Sequence, residues 1–521
     1  VHLPSPRNST ASTTKASPRP HLVDLTKDED NEDEDDDDIT DPERTRDTVE
    51  NEGGAVEMRD LNVDQQKKNL EIMEANDTNK RRLGLSLGSH LFELIKDYGK
   101  MSLVVLVTMI LGIVIIFSFS NETWIRRNQG TINYFDKTDV TILTSVFFVT
   151  GLAAFTGIQF LSVYGLKRMI ETKFYLFLLA DILLFIAVPW GMWAGDQDYW
   201  YWMGDVLLLL VGFVSLSFVM GYLGKPYQTT KERLKNGLAF LGIEVLVAVS
   251  ALLYGMFIYL VYSNFSNIAK VAWRLIVHSI YFEVGMMIPV RLLVTKQMEK
   301  KGVSIMHSLA VVHAQAHIST LGRMMISTIN DTTLTVISVL LLNIGKMVFR
   351  STVQVRDKYA SKVLEKVAGT EHIESKKFVR AVGLFTEMIM ENASIPTSAF
   401  TLWVFRNYQG LFYMPFPDKS FGIVDIVINV AIQLGIAIPF DIVTLLINER
   451  YFGMPLERAW KKMREKWLPF FGFLVYGIIT MGMLGVIWMA CRLPRFVMCQ
   501  SKDVCSCMFV SNCEEFIKSN L

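Results

Sequence analysis

The chain has 521 residues, of which 51% are apolar and 20% are charged, and its mean hydropathy is positive. Several nearly uncharged windows reach about 19 residues, the length that a helix needs to cross a bilayer. Such runs exclude an ordinary soluble domain, and a membrane β-barrel is excluded because its strands are short and alternating. The composition therefore predicts an all-α protein, a polytopic bundle of transmembrane helices in the lipid bilayer.

The formal net charge of zero hides two parts of opposite sign. Residues 1–80 carry 10 Lys or Arg and 22 Asp or Glu, including the run from Asp28 to Asp38, which gives a net charge of −12. Because the whole chain has a net charge of zero, the remaining residues have a net charge of +12. The acidic part is predicted to be a disordered cytoplasmic tail, because it cannot bury enough apolar surface to fold. It either keeps the protein soluble or docks a basic partner. The basic part needs no nucleic acid, since cytoplasmic loops of membrane proteins are ordinarily positive.

The remaining chain divides by hydropathy into five parts. An amphipathic interfacial segment is predicted at 81–101, a first transmembrane half at 102–349, a cytoplasmic amphipathic linker at 350–382, a second half at 383–491 and a Cys-rich tail at 492–521. Ten to eleven spans are expected. The count depends on whether 303–322, which is only moderately apolar, crosses the membrane. The spans are placed near 102–120, 140–164, 174–194, 204–223, 237–262, 275–295, 324–349, 384–404, 421–447 and 468–491.

Lys and Arg predict the orientation of the chain. They are concentrated in every second connection, which places the N-terminus in the cytoplasm and the C-terminus outside. Asn121 and Asn264 begin glycosylation sequons in connections predicted to be external. The protein is accordingly expected in the plasma membrane or a membrane of the secretory pathway.

A helical hairpin motif occurs twice in the sequence. Trp124, Arg127 and Asn128 correspond to Trp403, Arg406 and Asn407 in loops between apolar runs. In addition, the motif Gly-x-x-Ile-Pro occurs twice. After one intervening residue it is followed by Arg291 in the first copy and by Asp441 in the second, which indicates an internal repeat. The Trp-x-x-Arg-Asn loops either anchor helices at the membrane boundary or form an outer gate.

Ionisable residues inside apolar spans are the best candidates for function, because each is costly in hydrocarbon unless it is paired or hydrated. Six acids and one cation qualify: Asp181, Asp205, Glu244, Glu283, Asp425, Asp441 and Arg291. The excess of acids favours a hydrated pathway that attracts cations, with Asp181, Glu244 and Asp441 deepest. The repeat suggests an Arg291–Asp441 pair beside a polar cavity, whereas the simpler alternative is that each charge snorkels or finds a local hydroxyl.

Four of the five cysteines lie in the last 25 residues: Cys499, Cys505, Cys507 and Cys513. Two disulfides are predicted if this tail is external, while a zinc site and lipidation are the alternatives. The motifs of phosphate-binding loops, metalloproteases, serine hydrolases and kinases are missing from the sequence, so no catalytic residue, metal or other cofactor is predicted.

Two functional classes remain open. The first is a channel or secondary transporter for small ions or solutes, with cations favoured. The second is a non-catalytic membrane subunit that anchors or scaffolds a larger assembly. A homo-oligomer and an assembly with other membrane subunits both fit the sequence, which names neither a substrate nor a partner.

Overall fold

The structure is a computed structural model. It describes residues 82–121, 137–195, 201–224, 229–255, 265–291, 310–329, 331–356, 373–404, 422–485, 497–501 and 504–507, with residues 262, 294 and 359. The acidic tail, residues 1–80, lies outside this range. Apart from one short β-hairpin, all the described elements are helices, so the prediction of a helical protein is confirmed.

Twelve helical elements are distinguished among the described residues. They are α1 (Leu87–Asn121), α2 (Lys137–Val146, Phe147–Ala154 and Phe155–Glu171), α3 (Phe174–Ala194), α4 (Tyr201–Gly212, Phe213–Ser217 and Phe218–Leu223), α5 (Thr230–Leu253), α6 (Asn267–Arg291), α7 (Ala310–Ser327), α8 (Thr332–Ser351), α9 (Ile373–Val404), α10 (Ile423–Arg450), α11 (Leu456–Glu465) and α12 (Trp467–Gly477 and Ile478–Leu484). Strands β1 (Val497–Ser501) and β2 (Val504–Cys507) form the antiparallel hairpin.

Nine of these helices are long and apolar enough to cross a membrane: α1 to α6, α8, α10 and α12. Their outward faces carry many exposed Leu, Ile, Val and Phe side chains, as expected where lipid rather than water surrounds a helix. The chain is therefore an integral membrane protein by length and composition.

Helices α7 and α9 do not meet the hydropathy criterion, yet almost all their described side chains are buried. They pack against each other at the centre, and α9 also packs against α1. The buried side chains of these two helices include Ser, Thr, Asn and Glu. When a helix is surrounded by protein, neighbouring helices can supply hydrogen-bond partners for such polar groups. The uncertain segment 303–322 thus corresponds largely to the buried helix α7.

The boundaries of two predicted segments differ from the structure. Helix α1 runs without a break from Leu87 to Asn121, so residues 87–101 of the predicted interfacial segment and the first span belong to one helix. Helix α5 begins at Thr230, seven residues before the predicted span, because Thr229 caps it and Glu232 completes a capping box.

Close helix packing in the last span depends on glycine. A β-carbon at Gly482 would lie 2.6 Å from Thr320 Oγ1 of α7, and one at Gly477 would lie 3.0 Å from Val312. At Gly485 it would lie 3.1 Å from Phe147 of α2. These glycines let α12 approach α7 and α2.

Candidate functional site

Six ionisable side chains from four helices form a buried cluster, here called the central network. Its cations are Arg323 of α7 and Lys346 and Arg350 of α8, and its acids are Glu387 and Glu391 of α9 and Asp441 of α10. Lys346 and Arg350 are four residues apart, as are Glu387 and Glu391, so each pair shares one face of its helix. The helices α8 and α9 thus present complementary charges to each other.

Arg350 is the centre of this network. Its Nε donates to Glu387 Oε1 at 2.9 Å, its Nη2 to Glu391 Oε2 at 2.7 Å and its Nη1 to Asp441 Oδ1 at 2.9 Å. The planar guanidinium therefore holds three carboxylates on two helices, a geometry that a lysine cannot provide. Because the Arg350 side chain is only 4% exposed, its removal would leave three buried acids with fewer cations.

Glu391 receives more cations than it has oxygens. Oε2 accepts from Arg350, whereas Oε1 is shared by Arg323 and Lys346. The Arg323 side chain is 1% exposed and also donates to Gln433 Oε1 at 3.1 Å, but the Lys346 side chain is 20% exposed. Of the three partners, Lys346 is the most accessible to a ligand.

Asp441 is held by neutral groups as well. Its second oxygen, Oδ2, accepts from the Tyr98 hydroxyl at 3.0 Å and from Asn392 Nδ2 at 3.2 Å. Tyr98 belongs to α1, so this hydrogen bond joins the four helices of the network to a fifth. Paired in this way, the network can be retained within a bundle of membrane helices despite the cost of burying charge.

A cavity of about 400 Å³ lies beside the network. Its polar wall combines groups from α6, α7, α8 and α9, namely Arg274, His278, Ser279, Glu283, Gln315, Ser319, Lys346, Glu387 and Glu391. Its apolar lining includes Ile280, Leu341 and Phe349. Cavities of this size, apolar with a few convergent polar groups, are typical of small-molecule binding sites.

A second, smaller cavity of about 30 Å³ shares part of this wall. Glu283, Gln315, Phe349 and Glu387 line both cavities. The smaller one also has four arginines in its wall: Arg291, Arg350, Arg356 and Arg380. A route through both cavities would therefore pass positive as well as negative side chains.

The inner wall of the main cavity is fixed by hydrogen bonds between α5, α6 and α7. Arg274 Nε donates to the Gly322 carbonyl at 2.9 Å, and His278 Nδ1 lies 2.9 Å from the Tyr254 hydroxyl. A β-carbon at Gly322 would lie 2.5 Å from Arg274 Nη2, so glycine leaves the space that this guanidinium occupies.

A second ionic cluster, the boundary cluster, joins the start of α1 to the end of α10 and α11. Arg82 contacts Asp97 at 2.9 Å, Glu449 at 3.2 Å and Glu457 at 4.0 Å, and His90 Nε2 lies 2.8 Å from Glu449. Burial lowers the pKa of Arg82, but Glu449, Asp97 and Glu457 raise it by more, so the pKa is raised overall. The cluster ties the N-terminal end of α1 to the opposite half of the chain.

The residues predicted as a transport pathway lie in separate places. Asp441 belongs to the central network, and Glu283 lines both cavities. Asp181 is buried elsewhere, in α3, where the Ser215 hydroxyl lies 3.2 Å from each of its oxygens. Glu244 is buried in α5. The structure thus brings two of the predicted acids to the cavity region and leaves Asp181 and Glu244 outside the cavity walls described above.

The predicted Arg291–Asp441 pair is not formed. Asp441 contacts Arg350, Tyr98 and Asn392, while Arg291 Nη1 lies 3.8 Å from Glu283 of its own helix. The repeat motif placed the two residues at equivalent positions in sequence, but α8 lies against α10 and supplies the cation instead.

The predicted outer loops lie mostly outside the described residues. This holds for Trp124, Arg127, Asn128, Arg406 and Asn407, and also for Cys513. Trp403 is part of the last turn of α9 and packs against the core. Cys499 is opposite Cys505 in the register of the hairpin, and Cys507 is opposite Val497.

Sequence reasoning missed five of the six residues of the central network. By hydropathy these five residues lie at the ends of spans or in moderately apolar segments, so they do not stand out as charges inside the membrane. They are Arg323, Lys346, Arg350, Glu387 and Glu391. One signal was available: two helical segments with charges of opposite sign at spacings of four residues, Lys346 with Arg350 and Glu387 with Glu391. Comparisons with family models, with curated proteins and with solved structures found no match for this chain.

Proposed function

We propose that the chain is a membrane channel or secondary transporter for small ions or solutes, and that the main cavity is its binding site. One observation carries the proposal. A cavity of about 400 Å³ between helices of the membrane bundle is lined by Lys346, Glu387 and Glu391, which belong to a network of buried ion pairs. Ionisable groups inside a membrane bundle are expensive and typically mark a solute or ion pathway.

The network also supplies a means of changing conformation. Arg350 joins α8 to α9 and α10, and Glu391 has three cationic partners for two oxygens. A solute that takes over one of these contacts changes the balance between alternative pairings, which is how a ligand shifts two helix arrangements. The π-helical stretch Ile280–Met287 beside the cavity and Pro439 within α10 interrupt regular helix hydrogen bonding at the same region.

The charges of the central network do not support the preference for cations that was predicted from the sequence. It rested on six acids against one cation in apolar spans, whereas the central network has three acids and three cations. Selectivity in this proposal depends on which charged group faces the cavity rather than on the total count.

Several finer features remain part of the proposal. They include the cytoplasmic N-terminus, the external C-terminus with glycosylation and disulfides, the plasma or secretory-pathway membrane, the repeat with its outer Trp gate, and docking of the acidic tail to a basic partner. The hairpin register supports one disulfide in particular, Cys499 with Cys505, because these residues are directly opposite each other.

A scaffold or anchoring subunit, as a homo-oligomer or with other membrane subunits, is the second candidate. The observation in its favour is the equal number of acids and cations in the central network, since closed ion pairs can simply fix helix packing.

Flux through the purified full chain in proteoliposomes distinguishes the two functions. We expect wild-type protein to carry a cation, an anion or protons down an imposed gradient, and Asp441→Asn to reduce that flux. An exposed control, Lys167→Met, should leave it unchanged because that side chain is 92% exposed. A folded wild-type protein that carries none of the tested ions would favour the scaffold.

A further inference from the structure

We infer that the main cavity opens sideways to the bilayer between α6 and α8 and binds a membrane amphiphile whose anionic group pairs with Lys346. This inference rests on the proposed function, because it names the class of solute for that cavity. Its three parts are the position of the opening, the charge that meets the headgroup and the surface that meets the alkyl chain.

The opening is identified by residues that both line the cavity and lie on the outer surface. Ile280 is 58% exposed, Val284 is 52% exposed and Leu341 is 48% exposed, and all three line the cavity. They belong to α6 and α8, which are candidate membrane spans. Apolar side chains exposed on a membrane span face hydrocarbon, so the rim of this cavity lies against lipid tails rather than against water.

The helices on either side of the opening are held together through neighbouring residues. Leu275 of α6 packs with Val339 and Leu342 of α8 and with Ile326 of α7. Ile280 and Val284 lie five and nine residues after Leu275 on α6, and Lys346 lies four residues after Leu342 on α8. Leu275 and Leu342 themselves line the cavity, so this apolar contact forms part of its wall, and Lys346, Glu387 and Glu391 of the central network form another part.

Lys346 is the group best suited to meet an incoming headgroup. It shares Glu391 Oε1 with Arg323, and Glu391 keeps Arg323 and Arg350 if the ammonium moves away. Releasing Lys346 therefore does not leave Glu391 without a cation. A lysine carries its charge on a long rotatable stem, so it can turn toward a carboxylate or phosphate without movement of the helix backbone.

The acids of the wall are less available to a cationic headgroup. Glu391 is shared by three cations, and Glu387 accepts from Arg350 at 2.9 Å. Glu283 has Arg291 within 3.8 Å. A cationic ligand would have to displace an arginine from one of these acids, whereas an anionic ligand only has to recruit Lys346. The geometry accordingly favours an anion.

The apolar lining accounts for the rest of the ligand. Ile280, Val284, Leu341 and Phe349 line the same cavity as Lys346, and the first three are also exposed on the outer surface of α6 and α8. An alkyl chain attached to the anionic group can leave the cavity between these side chains and remain in hydrocarbon, so burial of the headgroup does not require the chain to enter water.

The test is binding to the full chain in nanodiscs of zwitterionic lipid. The probe is a fluorescent long-chain fatty acid, and the matched ligands are its methyl ester, the amine of the same chain length, an anionic phospholipid and a soluble short-chain carboxylate. We expect the fatty acid to bind at least about tenfold more tightly than the ester or the amine, since one buried charge contact is worth that much or more. Competition by the phospholipid would identify a lipid headgroup as an alternative source of the anion.

Variants connect the binding to the proposed place. Lys346→Met should weaken fatty-acid binding about tenfold or more, whereas Lys346→Arg should retain it because the charge is kept. Leu341→Trp should weaken it by filling the rim. The matched control is Val348→Met, on the same helix, 55% exposed and outside the cavity wall. Each variant is first shown to be folded by gel filtration and thermal melting.

Three results would overturn the inference: equal binding by Lys346→Met and wild type, equal binding of the amine and the acid, or competition by the soluble carboxylate alone. The last would mean a water-borne organic anion. Failure of this inference is separable from failure of transport, because binding is measured without a gradient. Lys346-dependent binding without transfer of the fatty acid or of any tested ion across the bilayer would retain the site and reject the transporter, and ion flux without binding would do the reverse.

Discussion

Two buried ionic clusters of this protein have similar components but different surroundings. The boundary cluster holds Arg82 between Asp97 and Glu449, and none of its five residues lines either cavity described above. The central network holds Arg350 between Glu387, Glu391 and Asp441, and three of its members line the main cavity. Buried charge by itself therefore does not identify a binding site. A cavity together with a replaceable ion-pair partner does.

The largest effect is expected from removing the cation at the centre of the network. Arg350→Met should lower the free energy of unfolding in detergent by about 3–5 kcal/mol, because three buried carboxylates lose their shared partner. Thermal or denaturant unfolding of the purified protein measures this loss. Lys167→Met serves as the exposed control. A change of less than about 1 kcal/mol in Arg350→Met would show that the network does not hold α8, α9 and α10 together.

A smaller loss is expected at the boundary cluster. Arg82→Met should lower the free energy of unfolding by about 2–3 kcal/mol, since Glu449 retains His90 and water can reach the partly exposed Glu457. Fatty-acid binding and ion flux, corrected for the amount of folded protein, should equal those of wild type. Loss of either activity in folded Arg82→Met would remove the distinction drawn between the two clusters.

Removal of a neutral donor should have a still smaller effect. Tyr98→Phe deletes a hydroxyl that donates to Asp441 Oδ2 and accepts from Asn392 Nδ2 at 2.8 Å, but Asn392 still donates to Asp441 Oδ2 at 3.2 Å. We expect a loss of about 1 kcal/mol, since hydrogen bonds between membrane helices average about 0.6 kcal/mol each and two are removed. An unfolding measurement beside Arg350→Met makes the comparison, and equal losses in the two variants would contradict the central position of Arg350.

The smallest change in stability is expected for Lys346→Met. Glu391 keeps Arg323 and Arg350 in this variant, so the free energy of unfolding should fall by less than about 1 kcal/mol. Fatty-acid binding should nevertheless weaken about tenfold or more, which separates the role of Lys346 from that of Arg350. A loss of stability as large as that of Arg350→Met would make Lys346 a structural cation instead.

Hydropathy alone located most of the membrane helices. The spans predicted at 174–194 and 204–223 correspond to α3 (Phe174–Ala194) and to the candidate span Met203–Leu223. The span at 421–447 corresponds to α10 (Ile423–Arg450). These segments are apolar on most faces because they contact lipid, and that property can be measured residue by residue along the sequence.

The site was far less predictable, because it depends on which helix faces meet. Arg350 and Asp441 are 91 residues apart in sequence, and the hydropathy of α8 or α10 does not indicate that they touch. The two central helices, α7 and α9, were also hard to identify. Their polar residues are satisfied by neighbouring helices, so the segments resemble moderately polar soluble helices when they are read alone.

The most direct test of the account is whether water reaches the polar wall of the main cavity. Ser319 of α7 lines that wall and is only 7% exposed, whereas Gly435 lies on the outer face of α10, where a β-carbon meets no atom within 4 Å. Labelling of Ser319→Cys and Gly435→Cys by a small hydrophilic thiol reagent, relative to unsubstituted protein, should be measured in proteoliposomes. The account predicts that Ser319→Cys reacts and that Gly435→Cys is protected by lipid. Protection of both would contradict a hydrated binding cavity beside the central network.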